Sequence, residues 1–198
     1  MTKTVSTFTL SRHAKPTRLL HAGLALAIIT QLASSQFMDP DEGGDWIFKV
    51  HQYAGLAAFA LVVLLWAYTL MRQRGTPLGE LLPWASARRR AAFMADLKAH
   101  LRAFSRLKLP AHSESSAFAG AVHGLGLLLM TAMAASGTLY YFVSTGDPDA
   151  GGLVGVAMLV HTTLANLVWA YLIGHAGFGV INHLGKSMSL RTMWSLDR

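Results

Sequence analysis

Cysteine is absent from the 198 residues. That excludes disulfides, iron–sulfur clusters and thiolate ligation of a metal, and it excludes any haem attached covalently through a C-x-x-C-H run. Charge is scarce: Asp, Glu, Lys and Arg make up 14% of the chain, against about a quarter in an ordinary soluble domain. With 53% hydrophobic residues and a positive mean hydropathy, the composition belongs to the membrane class. No polar stretch is long enough for a second domain, so residues 1–198 are expected to form one. Also missing are an inverted repeat and a pair of Gly/Pro-broken apolar segments, which transporters use. As possible metal ligands the chain offers nine His and nine Met.

Four apolar runs stand out, at about 17–37, 46–71, 116–143 and 153–177. Each meets the roughly 20 residues a helix needs to cross the hydrocarbon. The first, with a basic start and Ala33, Ser34 and Ser35 near its end, also has the format of a cleaved signal peptide. Three further spans and His21 inside the run favour a retained anchor. The connections alternate in charge. Residues 38–46 hold Asp39, Asp41, Glu42 and Asp45, residues 144–152 hold Asp147 and Asp149, and neither has a base. The 72–115 segment holds nine bases against three acids, and the ends carry Lys3, Arg12 and Lys15 or Lys186, Arg191 and Arg198. Positive charge stays cytoplasmic, and only Lys49 breaks the pattern. The expected fold is therefore an all-α, four-helix transmembrane bundle of a bacterial inner membrane, both termini and residues 72–115 cytoplasmic.

Within that segment Met94, Leu97, Leu101, Phe104 and Leu107 recur at three and four residues among Arg88, Arg89, Arg90, Lys98, Arg102 and Arg106. This is a basic amphipathic helix, with Ser86 as its cap and an end before Pro110. Lying on the anionic inner leaflet, with membrane lipids as partners, is preferred to docking a partner protein. The bases behind the net charge of +7 are concentrated on one side of the membrane, and nucleic-acid binding has no further support.

Histidines mark the apolar runs. His161 and His175 are fourteen residues apart in the last run. Helical geometry puts them within roughly 40° of one face and about 21 Å apart along the axis. Ionisable groups at membrane depth are costly and usually face a bundle interior. Antiparallel threading gives two same-depth pairs, His21 with His175 at the inner side and His51 with His161 at the outer. A lone His in an apolar helix is more often hydrogen-bonded filler or a proton relay than a ligand. Four that pair by depth favour ligation, each pair holding one six-coordinate, non-covalent b-type haem suited to electron transfer. Gly55, Ala165, Gly174, Gly177 and Gly179 lie beside these histidines and permit a flat ring or ordinary helix packing alike. Arg18 can pair with a haem propionate. Lys49 can do the same for the outer haem, or simply snorkel to the interface. His123, at inner depth, has three open roles: replacing His21 as ligand, bonding a propionate, or handling a quinone. His183 meets either a quinone headgroup or lipid phosphate at the inner interface. His13, His100 and His112 fall in polar segments and read as solvated surface residues.

The chain resembles the di-haem cytochrome b superfamily: bacterial cytochrome b561, the gamma subunit of membrane formate dehydrogenases and the b-type subunit of nickel–iron hydrogenases. The resemblance covers all four runs. It rests on His21 near the inner end of the first, His51 followed by Gly55 in the second, and His161 and His175 in the fourth. HTTLAN at 161–166, His123 with Gly137, and SLRTMW near the end look especially like stand-alone cytochrome b561. Ala22 stands where the family usually has Trp after the first histidine, and the basic segment is longer than the connection usual in stand-alone members. The resemblance implies the same ligand pairing and quinone chemistry near the inner haem, with ubiquinone or menaquinone as cofactor. Candidates for that chemistry are His123, His183 and Lys186. Its first functional implication is the membrane subunit of a respiratory oxidoreductase, moving electrons between the quinone pool and a periplasmic-side redox partner. A stand-alone quinone oxidoreductase is the alternative, and a proton-coupled transporter is the rival from another class. A homodimer is left open.

Overall fold

The structure is a computed structural model that describes residues 14–39, 45–73, 75–108, 113, 116–144, 151–185 and 189–190. Six α-helices follow in order: α1 (Lys15–Ser34), α2 (Trp46–Met71), α3 (Leu78–Leu81), α4 (Ala87–Ser105), α5 (Ala117–Val143) and α6 (Gly152–Leu184), with a 3-10 turn (Pro83–Ala85) between α3 and α4. Among the described residues there is no strand.

The helix starts are chemically ordinary. Pro16 opens α1, where its missing N–H costs nothing. Asp45 caps α2 by accepting from the Phe48 N–H at 2.7 Å, and Ser116 caps α5 through the Ala119 N–H at 3.0 Å. By length and composition α2, α5 and α6 can each cross a membrane. α1 does not join that set, because Arg18, His21, Thr30 and Gln31 interrupt its apolar run. It ends at Ser34, three residues before the expected boundary, while α6 continues seven residues past the expected Gly177 to Leu184.

One core joins all four long helices: Leu24 and Leu32 from α1, Ala58 and Val62 from α2, Leu127 and Met130 from α5, and Val168 from α6. Large apolar side chains elsewhere on α2 and α6, such as Val63, Leu64, Leu159, Leu167 and Ile173, are exposed. Such continuous apolar surface belongs in lipid. Between helices in lipid, close packing and hydrogen bonds take over from hydrophobic burial. The Trp66 indole N–H accordingly donates to the Thr131 hydroxyl at 2.9 Å, which itself donates to the Leu127 carbonyl at 2.6 Å.

Among α1, α2, α5 and α6 the closely packed pairs are α1–α2, α2–α5 and α5–α6; α1–α6 and α2–α6 are not among them. α6 therefore leans on α5 and stands off from α1 and α2. α5 takes its neighbours into glycine notches. A Cβ on Gly124 would lie 1.8 Å from the Leu81 carbonyl oxygen, and one on Gly120 would lie 3.0 Å from that of Glu80, so the backbone around α3 is pressed onto α5.

The basic helix α4 ends before Pro110 as expected, at Ser105, with Leu107 in the left-handed region (φ 52°). It departs from expectation in two ways. The Ser86 hydroxyl makes no capping bond. Its apolar stripe is also split: Leu97 and Phe104 are half-buried, while Met94, Leu101 and Leu107 are exposed. The half-buried side docks on the bundle. Phe93 stacks on Phe118 (ring centres 6.1 Å apart), and Phe104 meets Phe178 at 5.5 Å. His100, expected to be solvated, packs on Phe118 at 4.8 Å. Asp96 ties the contact by accepting from the Ser116 hydroxyl at 2.7 Å and the Phe118 N–H at 3.0 Å. Burial alone would push the Asp96 carboxyl up. The bonds from Phe118 and Ser116, with His100 alongside, outweigh it and hold the group below its usual value.

Candidate functional site

His21, His51, His161 and His175 meet in the two pairs expected from the sequence. The ring centres of His21 and His175 are 6.2 Å apart, and those of His51 and His161 are also 6.2 Å apart. Both pairs bridge α6 to the α1–α2 hairpin, elements that are not among the closely packed helix pairs. Two imidazoles bound to one metal at about 2 Å each, with each ring centre about 1 Å behind its nitrogen, have centres about 6 Å apart. Both gaps match that spacing.

Hydrogen bonding fixes which nitrogen the His51 end presents. The Ser34 hydroxyl donates to the Thr30 carbonyl at 2.7 Å, so toward His51 Nδ1, 3.0 Å away, it can only accept. His161 Nδ1 lies 3.1 Å from the Met133 carbonyl, an acceptor with no proton to give, and 3.2 Å from the Ser136 hydroxyl. Both rings thus carry the proton on Nδ1 and keep the lone pair on Nε2, the arrangement of a metal-ligating histidine held by its other nitrogen. The Gln31 amide donates to the His51 carbonyl and lies over Gly55, where an added Cβ would come within 3.2 Å of it. Gly137 faces His161: a Cβ there would fall 2.8 Å from the imidazole Cε1. Thr138 beside it has a buried hydroxyl with no partner among the described groups. Lys49 is exposed at the start of α2.

The His21 end is built differently. Tyr171 stacks on His175, ring centres 5.3 Å apart and planes within 8°. His123 approaches His175 edge-on at 5.0 Å, so this end gathers three histidines. His123 Nδ1 lies 2.7 Å from the Ala119 carbonyl, which fixes its proton there too. Arg18, one turn before His21, is only 2% exposed, a depth that rules out simple solvation of its guanidinium. Nothing lies within 4 Å of a Cβ built on Gly174 or Gly177, beside His175. His183 is exposed near the end of α6 and is not brought into the cluster; Lys186 lies outside the described residues.

Among the described residues, no three His, Cys, Asp or Glu side chains converge on a bare metal ion. The site's imidazoles face one another in two pairs, with His123 as a third ring beside His175. A family model described as prokaryotic cytochrome b561 matches residues 12–196. The chain belongs to that family. Neither a curated protein nor a solved structure matches it. Membership makes this a membrane b-type cytochrome of electron transfer that binds haem b. The residues fit that group on their own evidence: paired imidazoles at metal-sharing distance, Nδ1 protons engaged at the His51 end, and a glycine cradle at His161. In this cytochrome b561 the sequence reading missed Ser34, Met133 and Ser136 as partners of the imidazoles, and it missed Tyr171. Only Tyr171 left a signal, standing four residues before His175 on the same helical face.

Proposed function

We propose that this cytochrome b561 binds two haems, one between His21 and His175 and one between His51 and His161, and passes electrons across the membrane. Bound haem supplies a one-electron ferric–ferrous couple. The chain's own residues do the rest. His21 with His175, and His51 with His161, would hold the two haems by their Nε2 atoms, and a haem held by two imidazoles would serve electron transfer. Ser34, Met133 and Ser136 hold the outer imidazoles in one tautomer and orientation. Arg18, buried beside His21, supplies a positive charge for a propionate at the inner end. The observation that carries this reading is the equal 6.2 Å gap at both pairs, on one helix and about 21 Å apart along its axis.

In this reading α1, packed on α2, is a fourth span beside α2, α5 and α6, both termini are cytoplasmic, and the His21 end is inner and the His51 end outer. α4 then lies along the inner leaflet, Met94 and Leu101 toward the acyl boundary and Arg88 and Arg102, farther round the helix, toward anionic headgroups. Quinone reacts at the inner end, where His123 stands beside His175. The outer end, with Asp39 and Asp45, meets a periplasmic-side redox partner as part of a respiratory oxidoreductase. A stand-alone quinone oxidoreductase is the second reading, favoured by the match to cytochrome b561 itself. The two separate on whether a redox protein copurifies.

The test is a pyridine haemochrome assay on detergent-purified chain, with a reduced-minus-oxidised spectrum. Two b haems per polypeptide are expected. One would overturn the double pairing. None, from cells supplied with haem, would overturn the haem reading of this chain and return the histidines to proton relay in a transporter.

A further inference from the structure

At the outer pair, hydrogen bonds set how each imidazole is turned. For His175 the structure offers a flat surface instead. The Tyr171 ring lies one helical turn before it, parallel within 8° and 5.3 Å away. The far end of that phenol is seated in another helix. A Cβ on Gly126 would lie 2.1 Å from the Tyr171 hydroxyl oxygen and 2.2 Å from the ring carbon bearing it, so α5 accepts the phenol only because residue 126 has no side chain. Gly126 is buried, and Tyr171 packs against the common core. The tyrosine is thus held at its tip by α5 and lies flat on the imidazole with its face.

We infer that Tyr171 is a positioning residue that fixes the plane of the His175 imidazole, with Gly126 as its seat. An aromatic ring lying parallel to an imidazole restricts rotation of that ring, because turning it drives its edge into the neighbouring π face. His123, edge-on at 5.0 Å, limits the same ring from another direction. The orientation of an axial imidazole governs the electronic structure of the iron it binds, so Tyr171 acts on the inner haem through His175 without touching iron. This inference rests on the proposal that His175 is an axial ligand.

The experiment uses full-length, haem-loaded protein carrying His161→Ala, so that the inner haem gives the only low-spin ferric signal. Its electron paramagnetic resonance g-values are read in Tyr171→Phe, Tyr171→Leu and Gly126→Ala. Tyr171→Phe keeps the ring and should leave the g-values in place. Tyr171→Leu removes the flat surface, and Gly126→Ala displaces it from the opposite helix; both should shift the largest g-value while inner haem is still bound. An unmoved signal in Tyr171→Leu would overturn the inference and make the tyrosine core filling. A shift in Tyr171→Phe as large as in Tyr171→Leu would also overturn it, by assigning the effect to the hydroxyl. If Gly126→Ala fails to load haem, Gly126→Ala with Tyr171→Leu makes room for the methyl. Restored haem with the shifted signal supports the seat, and no restoration overturns it. Absence of any low-spin signal in the His161→Ala parent would instead sink the assignment of His175 as a ligand, a separate failure.

Discussion

The two ends of the bundle hold histidine pairs at the same separation by different means. At the His51 end each Nδ1 is answered by a hydroxyl or carbonyl from α1 or α5, and among the described residues no third histidine ring meets the pair. At the His21 end the ring of His175 is stacked by Tyr171 and met by His123, with Arg18 buried one turn below His21. Hydrogen bonds lock a tautomer and make a ligand more basic. Stacking fixes a plane and leaves protonatable groups nearby. The first arrangement suits a centre that only relays electrons, and the second suits one beside proton-coupled chemistry.

The sharpest way to break this comparison is to remove one ligand at a time. His161→Ala should halve the haem content and delete the outer spectrum, and His175→Ala should halve it and delete the inner one. Loss of the same haem from both variants would mean the pairs are threaded wrongly. Next in size is Gly137→Ala, whose methyl meets the His161 ring at 2.8 Å. It should weaken outer haem binding about tenfold, or about 1.4 kcal/mol, in a haem-transfer assay. Gly155→Ala, with nothing within 4 Å, should leave it unchanged. Smaller again is Ser34→Ala, which removes the described partner of His51 Nδ1 and forfeits roughly 1 kcal/mol of hydrogen bonding. A less basic imidazole favours ferrous iron, so redox titration should find the outer potential raised and the inner one unmoved. Ser136→Ala should do less, because the Met133 carbonyl still serves His161.

The smallest effect concerns α4. The folded Asp96 carboxyl is held below its usual value. Its contribution is therefore complete above the unfolded value of about 4 and is lost as pH falls through the folded value. Hydrogen exchange within 87–105 should accelerate on acidification below that point. Asp96→Asn should show the same loosening already at neutral pH, by about 1 kcal/mol after discounting for solvent access, with haem content intact.

Much of this was legible in the residues. The bounds of α2 and α5 follow from where apolar runs meet Asp45 and Ser116, and same-depth pairing needs only spacing and antiparallel threading. What was not legible depends on rotational phase between helices. Ser34 and Ser136 are ordinary small residues until α1 and α5 turn them toward an imidazole. The α4 stripe was periodic enough to name, yet its division between bundle and surface depends on where Phe118 and Phe178 stand. His100 looked solvated because its run is polar, and Asp96 and Phe118 drew it in. The end of α1 was overestimated because Phe37 is apolar, whereas Ser34, Ser35 and Gln36 before it already turn the chain out of the helix.

α5 receives the α3 backbone at Gly120 and Gly124, the Tyr171 phenol at Gly126 and the His161 ring at Gly137, and it takes the Trp66 bond at Thr131. These placements share one rigid rod, so a slip of one residue along it would misplace all of them together. They also impose a schedule on biosynthesis. The α1–α2 hairpin can close as soon as it leaves the ribosome, but α3 and α4 are made before the helix that seats them. They must wait, with Leu81, Phe93 and Asp96 uncommitted, until α5 is inserted, and α6 arrives last to bring His161 and His175 to partners already in place.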